Sequence, residues 1–113
     1  MRRVVITGLG IVSCIGNNQS EVLDSLLNTK SGIVFSEDHK KYNFRSQVVG
    51  EIKNLNISDH IDRKKIRFMG DGSAYNYIAM QEAINDSGLE EKNISNEMTG
   101  IIMGSGGPSI ENV

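Results

Sequence analysis

Apolar and polar positions are ordered in more than one way along this chain. Residues 4–12 are dominated by β-branched side chains (Val4, Val5, Ile6, Thr7, Ile11 and Val12) and are apolar on both faces, the pattern of a strand buried in the middle of a sheet. After Gly16 the period changes. Asn18 and Glu21 have the spacing of a helix N-cap and its reciprocal partner, and Val22, Leu23, Leu26 and Leu27 fall on one stripe, which predicts a helix of about three turns. Residues 30–46 carry charge without a clear period and read as a surface excursion, while residues 47–52 suit a short edge strand. From Phe68 to Ser87 the apolar positions Ala74, Tyr77, Met80 and Ile84 recur at helical spacing, and Gly88 followed by Leu89 reads as a C-terminal cap with its hydrophobic contact. Residues 98–103 (MTGIIM) repeat the buried-strand pattern and run into GSGGP, where the backbone needs freedom or close approach. Strand, helix, helix and strand in this order imply an α/β layered fold.

Composition narrows this to one core. At 113 residues, 38% apolar and 23% charged, the chain suits a single modest globular domain. Such a domain buries only about 65% of its unfolded surface, so an internal cavity for a large substrate is hard to accommodate and partners are expected to complete any site. A net charge of −2 supplies no global field toward nucleic acid or membrane. The single cysteine, Cys14, excludes an internal disulfide framework and fits a reducing compartment, so a cytoplasmic location is expected. No apolar run approaches the roughly 20 residues that cross a bilayer. The opening MRRVVITG reaches glycine at position 8, so neither a signal peptide nor an anchor is expected.

Several candidate chemistries thin out on inspection. Gly8 and Gly10 supply two glycines of a dinucleotide fingerprint, and Glu37 or Asp38 after IVF could be its acidic residue, but Ser13 stands where the third glycine belongs. The helix start near Asn18 would also hold the helix dipole away from those glycines. Close backbone packing is the expected role, with a dinucleotide-binding βαβ unit as the lesser alternative. No lysine followed by Ser or Thr ends either glycine run, and Met103 stands where a nucleophile elbow before Ser105 would need glycine. Ser105 therefore reads as a loop hydroxyl. Cys14 has no neighbouring base and reads as a structural thiol. His39 and His60 lack ligand spacing, so neither a metal nor a cofactor is expected.

One cluster stands out. In DRKKIRF, residues 62–68, Arg63, Lys64, Lys65 and Arg67 place four of the twelve cations within five positions. On a helix Arg63 and Arg67 share a face at i, i+4, presenting two guanidinium forks to one acidic partner. The alternative is a solvated face offset by Asp59 and Asp62. A nucleic-acid surface does not fit so short a cluster in an acidic chain.

Taken together, TGLGIVSCIGNN, the KSGI after the first helix, IDRKKIRFM, the helix ending in DSGL and the strand entering GSGG resemble, in order and spacing, the N-terminal part of the β-ketoacyl-acyl carrier protein synthases, nearest the synthase I type. The resemblance covers essentially the whole chain. It implies a thiolase-like layered α/β/α/β/α fold, of which residues 1–113 would form an incomplete first part of the N-terminal half, in a homodimer with subunits several times longer. It also implies a decarboxylative Claisen condensation: an acyl group is loaded on a cysteine, malonyl-carrier protein loses CO2, and the carbanion attacks the thioester. The nucleophilic cysteine and two histidines would lie beyond residue 113, so no catalytic residue is expected here, and Cys14 matches no family nucleophile. By resemblance Arg63, Lys64 and Arg67 would receive acyl carrier protein, and Gly106 and Gly107 would belong to a loop near the acyl pocket. Pro108 departs from the glycine common there. Gly70 and Gly72 depart from the usual alanine or serine and are expected to cost about 1 kcal/mol each inside the long helix. A stand-alone docking module for an acidic partner is the alternative; it would have to close its own sheet with two buried strands and one edge strand, too few to cover both helices.

Overall fold

The computed structural model describes residues 2–107. Two compact units divide the chain, one formed by residues 2–10 with 56–107, the other by Ile11–Leu55.

In the Ile11–Leu55 unit, Ser13 and Gly16 bridge through paired backbone hydrogen bonds (Ser13 N to Gly16 O 2.8 Å, Gly16 N to Ser13 O 3.2 Å), turning the chain at Cys14 and Ile15. Helix α1, Gln19–Leu27, follows as the spacing requires. Asn18 Oδ1 accepts from Glu21 N at 3.0 Å, while Glu21 Oε2 reaches one residue further back than expected and accepts from Asn17 N at 2.8 Å. The cap thus satisfies the Glu21 N–H, one of the four backbone donors orphaned at any helix start, and the return bond ties the residue before the cap to the first turn. Of the expected stripe only Val22 is buried, with Ser25 beside it donating to Ile15 O at 2.6 Å; Leu23, Leu26 and Leu27 are exposed.

Residues 30–46 are more structured than their charge suggested. Strand β1, Ile33–Phe35, pairs antiparallel with β2, Val48–Gly50, in the register Ile33–Gly50, Val34–Val49 and Phe35–Val48, so the expected edge strand is present with a partner that was not expected. Helix α2, Glu37–Lys41, lies between them, its entry capped by Ser36 Oγ accepting from His39 N. The missed signal was local: a serine cap, two acids in the first turn and two lysines in the last all favour the helix dipole.

In the other unit a 3₁₀ turn, Ile57–Asp59, leads through buried Ile61 to α3, Arg63–Ile66, then to α4, Asp71–Ser87, and α5, Glu91–Ile94. Gly88 ends α4 in the left-handed conformation (φ 64°), as expected of a glycine cap. Because α4 begins at Asp71, Gly70 is its N-cap, where glycine is well tolerated, and Gly72 sits in its first turn. The penalty of about 1 kcal/mol for glycine in a helix interior therefore does not apply to Gly70. Buried apolar side chains in this unit are Ile61, Ala74 and Ile78; of the expected stripe Tyr77 and Ile84 are half-buried and Met80 is exposed.

Residues 4–12 and 98–103 form no strand. Val4, Val5 and Ile6, like Met98, Ile101 and Ile102, are exposed, Ile102 at 98%. A strand exists only as a paired ladder, and no ladder is formed at either segment among the described residues. The apolar, β-branched pattern reports a demand for burial that these residues alone do not meet.

Candidate functional site

The basic cluster is built on α3. Asp62 caps this helix, its Oδ1 accepting from Lys64 N at 2.7 Å, and its backbone oxygen accepts from Lys65 N at 2.8 Å and Ile66 N at 3.1 Å. Arg67 remains helical at the C-cap (φ −59°, ψ −14°), which puts it one turn from Arg63. Arg63, Lys64, Lys65 and Arg67 are all exposed, and among the described residues none forms an ion pair. The two acids that were to offset them are engaged locally: Asp62 in the cap, Asp59 Oδ1 accepting from Asn56 Nδ2 at 2.9 Å. The arrangement offers an acidic surface a cationic edge whose side chains form no ion pair among the described residues.

The early glycines have a packing role. A Cβ on Gly8 would lie 2.1 Å from Ala83 O, and one on Gly10 would lie 1.8 Å from Ala79 O. The chain at residues 8–10 therefore rests on the backbone of α4 along Ala79, Ala83 and Ser87, and Leu9 N donates to Asp86 Oδ2 at 2.9 Å. This is the interior and C-terminal half of α4, not a helix N-terminus, so the phosphate geometry of a dinucleotide site is not formed. Sequence reasoning missed the small-residue stripe at 79, 83 and 87, whose i, i+4, i+8 spacing was its available signal.

Cys14 is wedged between two glycines: a Cβ on Gly32 would lie 2.8 Å from its Sγ and one on Gly50 would lie 3.1 Å away. That agrees with a structural thiol. Beside it an open hollow of about 260 Å³ is lined by Ser13, Ile15, Gly16, Asn17, Glu21 and Lys53 among others. His39 Nδ1 lies 3.1 Å from Ser46 O with its ring edge-on to Phe44, and His60 is exposed at the C-cap of the 3₁₀ turn. Among the described residues no group of three or more metal-ligating side chains forms. Glu37 and Asp38, the acids weighed for a ribose contact, lie in the first turn of α2.

Gly106 and Gly107 lie in an exposed bend, and among the described residues nothing is within 4 Å of where a Cβ would stand. Ser105 Oγ donates to Gly107 O at 2.7 Å, so it serves as the expected loop hydroxyl. Pro108 lies outside the described residues. Asp24 and Tyr75 carry perturbed acidities. Asp24 is held below the usual carboxylate range by a hydrogen bond and charge attraction from Lys30, whose Nζ is 2.5 Å away. Tyr75 is pushed up, first by burial and then by the Asp71 carboxylate one turn before it.

Residues 1–112 match the family described as Beta-ketoacyl synthase, N-terminal domain. The chain belongs to that family. It is 55% identical to the 3-oxoacyl-[acyl-carrier-protein] synthase 1 of Haemophilus influenzae over 112 residues, covering 99% of this chain and 27% of that protein. The synthase 1 of Escherichia coli strain K12 is 53% identical over 110 residues, 96% of this chain and 27% of its own length. A 3-oxoacyl-[acyl-carrier-protein] synthase 2 of Staphylococcus aureus strain N315 is 36% identical over 107 residues, 93% of this chain and 25% of its own. The chain thus spans about a quarter of the length of these beta-ketoacyl synthase relatives. No helix among the described residues is long and apolar enough to cross a membrane.

Proposed function

We propose that this chain is the N-terminal portion of a 3-oxoacyl-[acyl-carrier-protein] synthase that elongates acyl chains in fatty acid biosynthesis. The observation that carries the reading is identity of 55% sustained over 99% of the chain to a synthase 1. In the complete enzyme a cysteine thiolate attacks the acyl-carrier thioester and releases the carrier thiol. Malonyl-carrier protein then loses CO2, and its enolate attacks the acyl-cysteine carbonyl, forming the 3-oxoacyl-carrier and returning the thiolate. The nucleophile and two histidines belong to the sequence beyond residue 113; this portion supplies scaffold and docking.

Arg63, Lys64 and Arg67 receive the acidic face of acyl carrier protein. Their exposure and lack of ion-pair partners among the described residues support this role. Gly106 and Gly107 line the approach to the acyl pocket, where open space at both Cβ positions leaves room for substrate. The exposed apolar segments 4–6 and 101–102 complete a thiolase-like α/β/α/β/α layering with the rest of a cytoplasmic homodimeric enzyme, and they speak against an autonomous docking module, which would leave this surface in water.

The test is Arg63→Glu combined with Arg67→Glu in the complete synthase. At low salt the KM for malonyl-carrier protein should rise at least about tenfold with kcat retained, and the gap should narrow as salt is added. An unchanged KM at low salt overturns the docking assignment.

A further inference from the structure

The four cations of the cluster are not equivalent. The Arg67 guanidinium carbon lies over the Phe68 ring, 4.6 Å from its centroid, while Lys65 Nζ is drawn back over the Tyr77 ring of α4 at 5.9 Å. Arg63 and Lys64 have no ring or ion-pair partner among the described residues. Phe68 is 76% exposed, so its ring is not held by a core; its backbone is fixed by Phe68 N donating to Lys65 O at 3.0 Å, with Met69 N donating to Ile66 O at 2.8 Å just beyond. An exposed aromatic ring thus stands in the middle of a cationic edge, with the Arg67 guanidinium over it.

We propose that Phe68 is a positioning residue: it holds the Arg67 guanidinium by its face, leaving the in-plane N–H edge free to form a two-pronged hydrogen bond with a carboxylate of the docking protein. The inference rests on the docking reading above and deepens it. A free arginine side chain has substantial rotamer entropy to lose when it is immobilised in a complex, and a guanidinium already stacked on a ring loses less. Stacking uses the π face, which donates no hydrogen bond, so orientation is gained without consuming a donor. The same logic sets Lys65 apart from the docking trio, because its ammonium points to α4.

The experiment compares Phe68→Leu, which keeps apolar bulk and removes the π face, with Phe68→Tyr, which keeps the ring, in the complete synthase with malonyl-carrier protein as probe. Phe68→Leu should raise KM about two- to fivefold with kcat unchanged, Phe68→Tyr should match the parent, and Phe68→Leu should add nothing once Arg67→Ala is present. If Arg67→Ala raises KM and Phe68→Leu does not, or if the two effects are additive, the positioning role is overturned while docking stands. If Arg67→Ala leaves KM unchanged, docking through Arg67 fails and the inference falls with it.

Discussion

Gly8 and Gly10 occupy positions where a methyl group would collide with helix backbone, whereas among the described residues nothing lies within 4 Å of the corresponding positions at Gly104, Gly106 and Gly107. Both stretches read as glycine-rich in the sequence, and both invite a phosphate-binding interpretation. The first is closed against α4 by backbone atoms that cannot swing aside; the second is open to whatever the remainder of the protein or a substrate brings. A glycine's meaning in this chain depends on what faces it, which its own identity does not reveal.

The largest effect should come from closing that contrast by force. Gly10→Ala places a methyl carbon 1.8 Å from Ala79 O, so either residues 8–10 or α4 must move, and because the backbone at Gly10 is not left-handed the penalty is purely steric. A loss of about 3 kcal/mol in the denaturant unfolding of the complete synthase is expected. A neutral substitution would show that the contact is looser than described. By the same measurement Gly106→Ala should fall within about 0.5 kcal/mol of the parent, since a methyl group there displaces none of the described residues. A cost as large as that of Gly10→Ala would erase the distinction between the two stretches. Under the proposed function Gly106→Ala should instead act on acyl loading, which separates a packing glycine from a substrate-facing one.

The smallest expected effect concerns Asp24 and Lys30, an exposed pair with no steric content that tests whether local contacts can be read independently of packing. Lys30 holds the Asp24 carboxyl below its ordinary value, so the pair contributes stability above the unfolded carboxylate pKa and loses it as pH falls through the folded value. In Lys30→Ala the side-chain carboxyl resonance of Asp24 should titrate at a higher pH than in the parent. An unshifted titration would mean that the ion pair does not persist in solution.

Much of the local structure was legible because it depends on neighbours in sequence. Asn18 and Glu21 marked the start of α1, Gly88 marked the end of α4, and DRKKIRF was recognisable as a cationic helix turn. The capped α2 was equally local, but the run of charges around it obscured Ser36 as its N-cap. The candidate site was legible as residue types and not as geometry: the pairing of Arg67 with Phe68 was available as adjacent letters, while the retreat of Lys65 toward Tyr77 depends on where α4 lies relative to α3.

What the amino-acid order determined by itself is the set of elements that close their own hydrogen bonds within a few residues, the charge on α3, and membership of the beta-ketoacyl synthase family. What only the tertiary structure decided is which apolar segments are covered: it set residues 8–10 on α4 and Cys14 between Gly32 and Gly50, and left residues 4–6 and 98–103 without a ladder. The reason is that a helix satisfies its backbone within itself, while a strand and a close-packed glycine are defined by a partner distant in the chain.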